Sequence, residues 1–68
     1  MRDFKLTSDY IELMKLLKVL RIAQTGGHAK IIVEDGEVIR NGNVEFRKRA
    51  KLIKGDVIKV LGEEIKIV

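Results

Sequence analysis

The chain has 68 residues, a net charge of +4 and no cysteine, which leaves room for one domain from residue 1 to 68 and excludes disulfides and thiolate metal sites. Its 23 Ile, Val and Leu residues must hold the fold by apolar packing alone, and they place it with globular chains and not disordered ones. The longest apolar run, Ile31 to Val33, excludes a spanning helix, and the mixed charged and apolar N-terminus does not read as a signal peptide, so a cytoplasmic protein is expected.

Asp3 to Thr7 alternates, with Phe4 and Leu6 on one side, and reads as a short strand. Thr7, Ser8 and Asp9 then form a helix-start cluster, and Asp9 with Glu12 fits a capping box. The first helix is predicted from Tyr10 to Arg21 or Ile22, with Leu13, Leu16, Leu17 and Leu20 as its buried stripe. Gly26 and Gly27 break the pattern and can take positive φ, while Thr25 can cap a second helix. That helix is short and fits from Gly27 or His28 to Glu34 or Asp35, stopped by Gly36.

From Val38 onward the period changes from helical to alternating. Val38-Ile39-Arg40 and Asn43-Val44-Glu45-Phe46 flank an Asn41-Gly42 pair suited to a type I′ hairpin turn. Lys54-Gly55-Asp56 is a second turn signal, and strands at 57–61 and 64–68 are predicted around Gly62-Glu63. The fold class is therefore α+β, with two short N-terminal helices packed on a small, mostly antiparallel sheet.

Charge is unevenly placed. Residues 1–39 sum to zero and 55–68 to −1, whereas 40–54 hold Arg40, Arg47, Lys48, Arg49, Lys51 and Lys54 against Glu45 alone. All of the excess lies in that stretch, which reads either as a phosphate-facing patch or as a solvated basic loop.

A Leu-rich helix, a small-residue turn, a short helix closing on glycine, an Asn-Gly turn and Lys54-Gly55-Asp56-Val57-Ile58 together resemble the S4 RNA-binding domain, with its alpha-L-like fold. Residues 10–60 carry the likeness. Gln24-Thr25-Gly26-Gly27-His28-Ala29-Lys30 and Val44-Glu45-Phe46-Arg47-Lys48-Arg49-Ala50-Lys51-Leu52 are similar to the small stand-alone S4 proteins of the YaaA/YbcJ type. Where the broader pattern opens its first helix with Arg-Leu-Asp and has Ser-Arg in the helix-helix turn, this chain has Tyr10-Ile11-Glu12 and Thr25-Gly26-Gly27. Weight therefore shifts onto Lys30 and the Arg47 to Lys51 cluster. The resemblance implies non-catalytic binding of structured RNA, ribosomal or tRNA-like, with the ribosome as a candidate platform.

The candidate RNA-binding residues are Arg47, Arg49, Lys51, Lys48, Lys30, Gly26, Gly27, His28, Lys15 and Lys18. If 47–51 is extended, Arg47, Arg49 and Lys51 share one face and Lys48 the other. Lys30 stands near a helix N-terminus whose free N–H groups favour an anion, and the two glycines leave those groups open to close approach. Lys15 and Lys18 read as part of the same surface or as an ordinary solvated helix face. His28, the only histidine, has no partner for a zinc site or for nucleophilic catalysis, and no cofactor, metal or enzymatic set is indicated. Aromatic content of 4% argues against a stacking platform for single strands, and structured RNA read through backbone and shape fits better. DNA is disfavoured, because a recognition helix carrying Glu34 and Asp35 would meet phosphate badly. The alternative is a protein-interaction or accessory module that docks an acidic partner or pairs through the strand-rich C-terminus.

Overall fold

The computed structural model describes residues 1–68. Along the chain they form β1 (Arg2–Phe4), β2 (Ile11–Glu12), α1 (Leu13–Val19), α2 (Gly26–Glu34), β3 (Val38–Arg40), β4 (Asn43–Val44), β5 (Lys51–Leu52), β6 (Val57–Val60) and β7 (Glu63–Ile67). Five strands build one sheet in the order β1-β7-β6-β3-β4, and β2 pairs with β5 apart from it. Only β1 and β7 run parallel. Two helices on a mostly antiparallel sheet is the α+β class that the alternation of periods predicts.

One core joins helices and sheet. Leu13, Leu16 and Leu17 of α1 are fully buried, as are Ala29 and Val33 of α2, with Ile32 nearly so. They meet Val38, Ile58, Val60, Ile65 and Ile67, the inward residues of alternating strands. Thr25 is extended and its Oγ1 accepts the His28 N–H at 3.0 Å, so α2 starts on a side-chain cap. After Asp35 the chain reverses through Gly36 at φ +77°, the left-handed position that the sequence assigns to this glycine. Asn41 and Gly42 both have positive φ, as a type I′ turn requires.

The structure corrects the predicted first helix at both ends. No capping box forms at Asp9, because Ile11 and Glu12 are drawn into an antiparallel ladder with Leu52 and Lys51. Ile11 is thereby buried, and α1 begins only at Leu13. Its first N–H groups are satisfied from far along the chain: Leu13 donates to the Ala50 carbonyl and Met14 to the Lys48 carbonyl, both at 2.9 Å. At the other end Ile22 and Ala23 both donate to the Leu17 carbonyl, with Arg21 at φ +60°, and the early reversal buries Ala23.

Other boundaries shift less. The first strand is Arg2–Phe4, although Leu6 still donates to the Val68 carbonyl at 2.8 Å. The last turn lies at Leu61-Gly62, both at positive φ, and not at Gly62-Glu63. Either position keeps Ile58, Val60, Ile65 and Ile67 inward, since the two registers differ by two residues and preserve the alternation. The observed register puts glycine second in the turn, where Gly42 also stands.

Candidate nucleic-acid interface

A polar network lies under the basic segment. Arg40, at the end of β3, donates to Asp56 at 2.9 Å, to the Lys51 carbonyl at 2.9 Å and to Glu45 at 3.3 Å. Asp56 also accepts the Asn41 amide and the Ile53 N–H, each at 2.9 Å. The Asn41 carbonyl oxygen in turn accepts the Val57 N–H at 2.8 Å. Asn41 thus does more than turn a hairpin; it fastens that hairpin to the start of β6. Burial alone would raise the Asp56 carboxyl, but the Ile53 N–H, the Asn41 amide and Arg40 outweigh it and hold it below the ordinary carboxylate range.

Glu45, the only acid within residues 40–54, is the second buried carboxylate. Arg47 grips it with Nε at 3.0 Å and Nη2 at 3.2 Å, and the Arg47 backbone N–H adds a third bond at 3.3 Å. The Arg47 side chain is the main reason the Glu45 carboxyl lies below its ordinary range, against the opposing effect of burial. Arg40 and Arg47 are therefore both paired with carboxylates, though Arg47 leaves 76% of its side chain exposed.

The segment after Glu45 is not a strand, so the alternation proposed for Arg47 to Lys51 does not apply. The Ala50 N–H donates to the Arg47 carbonyl at 3.1 Å, and the chain turns through Lys48 and Arg49 before entering β5. Arg47, Arg49 and Lys51 nevertheless come together, lining one depression with Arg40 and Ala50, while Lys48 lies outside it. Lys48, Arg49, Lys51 and Lys54 have no carboxylate partner. Because the Lys48 and Ala50 carbonyls cap α1, this loop is tied to the helix pair at its backbone and presents its cations from a fixed base.

Met14 connects the start of α2 to this loop. A Cβ at Gly26 would stand 3.6 Å from the Met14 methyl, and Met14 is the residue whose N–H meets Lys48. Neither Gly26 nor Gly27 has positive φ, which corrects that part of the expectation. A Cβ at Gly27 would meet only the Thr25 hydroxyl at 3.9 Å, so no packing demands glycine there. Lys30 is exposed and unpaired one turn beyond Gly26. His28 is also exposed, and its Nδ1 accepts the Gln24 N–H at 3.2 Å, a local role that sequence reading missed. Lys15 and Lys18 are exposed on α1. Lys15 lines a separate groove with Tyr10 and Val19 and takes no part in lining the depression.

Comparison with known proteins agrees with this architecture. The model of the S4 domain family matches residues 4–68. YbcJ of Escherichia coli (strain K12) is 36% identical over 59 residues, spanning 87% of this chain and 84% of that protein. RlbA of Bacillus subtilis (strain 168), named a probable ribosome maturation protein, is 34% identical over 55 residues, or 81% and 78% of the two chains. The solution structure of YbcJ, reported to reveal an alfaL motif involved in RNA binding, superposes with a TM-score of 0.75 at 35% identity, covering 100% of this chain and 87% of that one. The 30S ribosomal protein S4e of Thermoplasma acidophilum shares the fold at a TM-score of 0.69 and 22% identity, over 85% of this chain and 31% of its own. With a family match along nearly its whole length and relatives above 30% identity, the chain belongs to the S4 domain family.

Proposed function

We propose that this S4 domain binds structured RNA without catalysis, and that its target is ribosomal RNA or an RNA of the assembling ribosome in the cytoplasm. The observation that carries the reading is the loop from Arg47 to Lys51, whose unpaired cations stand on a backbone locked to α1, with Met14 joining it to the start of α2. Arg49 offers a planar fork to a phosphate, and Lys48, Lys51 and Lys30 add point charges. The His28 N–H is taken by Thr25, but Gly27 is exposed and carries no side chain over the N–H groups before it, so a phosphate can approach the backbone there. Arg47 acts partly through its hold on Glu45, which fixes the loop, and partly through its exposed edge. Lys15 and Lys18 contribute charge from the flank. The RNA binding reported for the YbcJ motif and the ribosome-maturation name of RlbA support the same direction.

The test is equilibrium binding of the purified protein to a ribosomal RNA fragment containing a helical junction, set against duplex DNA of equal length at matched salt. Tighter binding to the RNA is expected. Equal, weak binding to both would overturn the proposal and favour a basic surface that docks an acidic protein.

A further inference from the structure

A groove larger than the basic depression lies between the N-terminal segment and α1, about 520 Å³ in volume, walled by Phe4, Leu6, Ile11 and Val19 and edged by Thr7, Ser8, Tyr10, Glu12 and Lys15. Its size suits a small planar ligand group, and its mix of an apolar wall with a few polar groups is that of a binding cleft. Tyr10 is 42% exposed and Val19 53%, so apolar surface stands open to water here.

What links the groove to the basic loop is Lys51. Its Nζ sits 4.9 Å from the centroid of the Tyr10 ring, a cation–π contact. Lys51 lines the depression with Arg47 and Arg49, and Tyr10 lines the groove, so the two hollows meet at this pair. A strand with a phosphate on Lys51 would therefore pass beside Tyr10 at the edge of the groove. Lys15 stands on its rim as a second cation, with Glu12 as the one acid.

We infer that the groove receives an unpaired nucleobase of the bound RNA, stacked on the face of Tyr10 that Lys51 leaves free, while Lys51 and Lys15 hold its flanking phosphates. Tyr10 is a single ring and not a platform, so it reads one base pulled from a helix and not a run of single strand. The apolar wall accepts any base face, and the hydroxyls of Thr7 and Tyr10 are available to base edges, that of Ser8 being already donated to the Tyr10 carbonyl at 2.9 Å. The preferred target is then a duplex interrupted by a bulge or junction. This inference rests on the RNA-binding reading above, and the experiment separates the two.

Two RNAs of the same length and sequence context, one a perfect duplex and one with a single bulged 2-aminopurine, are titrated with wild type, Tyr10→Ala and Tyr10→Phe. Wild type is expected to prefer the bulged RNA and to quench its fluorescence on binding. Tyr10→Ala is expected to lose roughly 5- to 150-fold in affinity for the bulged RNA only, the range of one base–aromatic stack. Tyr10→Phe keeps the ring and is expected to keep both preference and quenching. A Tyr10→Ala loss that is equal on both RNAs would mark a merely structural role and overturn the inference. Equal wild-type affinity for both RNAs without quenching would also overturn it, while leaving RNA binding by the loop intact. Failure of wild type to bind either RNA would instead remove the underlying reading and this inference with it.

Discussion

Asp56 exposes 9% of its side chain and takes hydrogen bonds from Arg40, Asn41 and Ile53, so its charge is balanced in place. Glu45 does the same for Arg40 and Arg47. These four charges cancel among themselves, leaving Lys48, Arg49, Lys51 and Lys54 as the free charge of the segment. Both carboxyls lie below their ordinary range in the folded protein. A depressed folded pKa adds stability that is fully present above the unfolded value, about 4, and is lost as pH falls through that value and below. Unfolding free energy from urea titration is therefore expected to hold from neutral pH to about 5 and to decline below it. Asp56→Asn places an amide N–H against donors, and is expected to destabilise by about 1–3 kcal/mol at pH 7 while making the acid decline shallower. An unchanged pH profile in that variant would remove Asp56 from the network's electrostatics.

The two helices are closed at their N-termini by different means. Thr25 caps α2 from the preceding residue, whereas α1 takes its cap from backbone carbonyls at Lys48 and Ala50. Thr25→Ala is expected to lower stability by about 1 kcal/mol and Thr25→Ser to restore most of it, read as a shift in denaturant midpoint at constant slope. The contrast also explains which features were legible in the sequence. A cap three residues from its donor, a leucine stripe and an Asn-Gly turn are local, and each was readable at its position. Asp9 and Glu12 carry an equally good local signal, but the competing partner of Glu12 is Lys51, thirty-nine positions away, and nothing in the pattern around Glu12 announces it. The basic cluster was visible as charge, while its division into paired and unpaired members was not. Glu45 and Arg47, two apart in a non-helical segment, were a readable hint of a shared face.

Across the molecule, the excess charge belongs to the stretch 40–54, and the fold brings Arg40, Arg47, Arg49 and Lys51 of that stretch to one depression. The remaining segments carry no excess, since residues 1–39 sum to zero and 55–68 to −1. Such a distribution steers a polyanion to one region without the penalty of a uniformly repelling surface. It also makes binding a matter of counterion release, in which the slope of log affinity against log salt counts the phosphate contacts. Rigidity assists this, because cations held on a backbone that doubles as a helix cap lose less freedom when RNA arrives than cations on a free loop would.

The most direct test of this account is the salt dependence of RNA affinity for wild type and for Arg47→Ala combined with Arg49→Ala. On the proposed reading Arg49 would be a full phosphate contact and Arg47, half-committed to Glu45, a partial one. The double variant is therefore expected to bind more weakly across RNA sequences and to flatten the log–log slope by about 1 to 1.5 units. A slope identical to that of wild type would contradict the account and place the RNA contact on another surface of the domain.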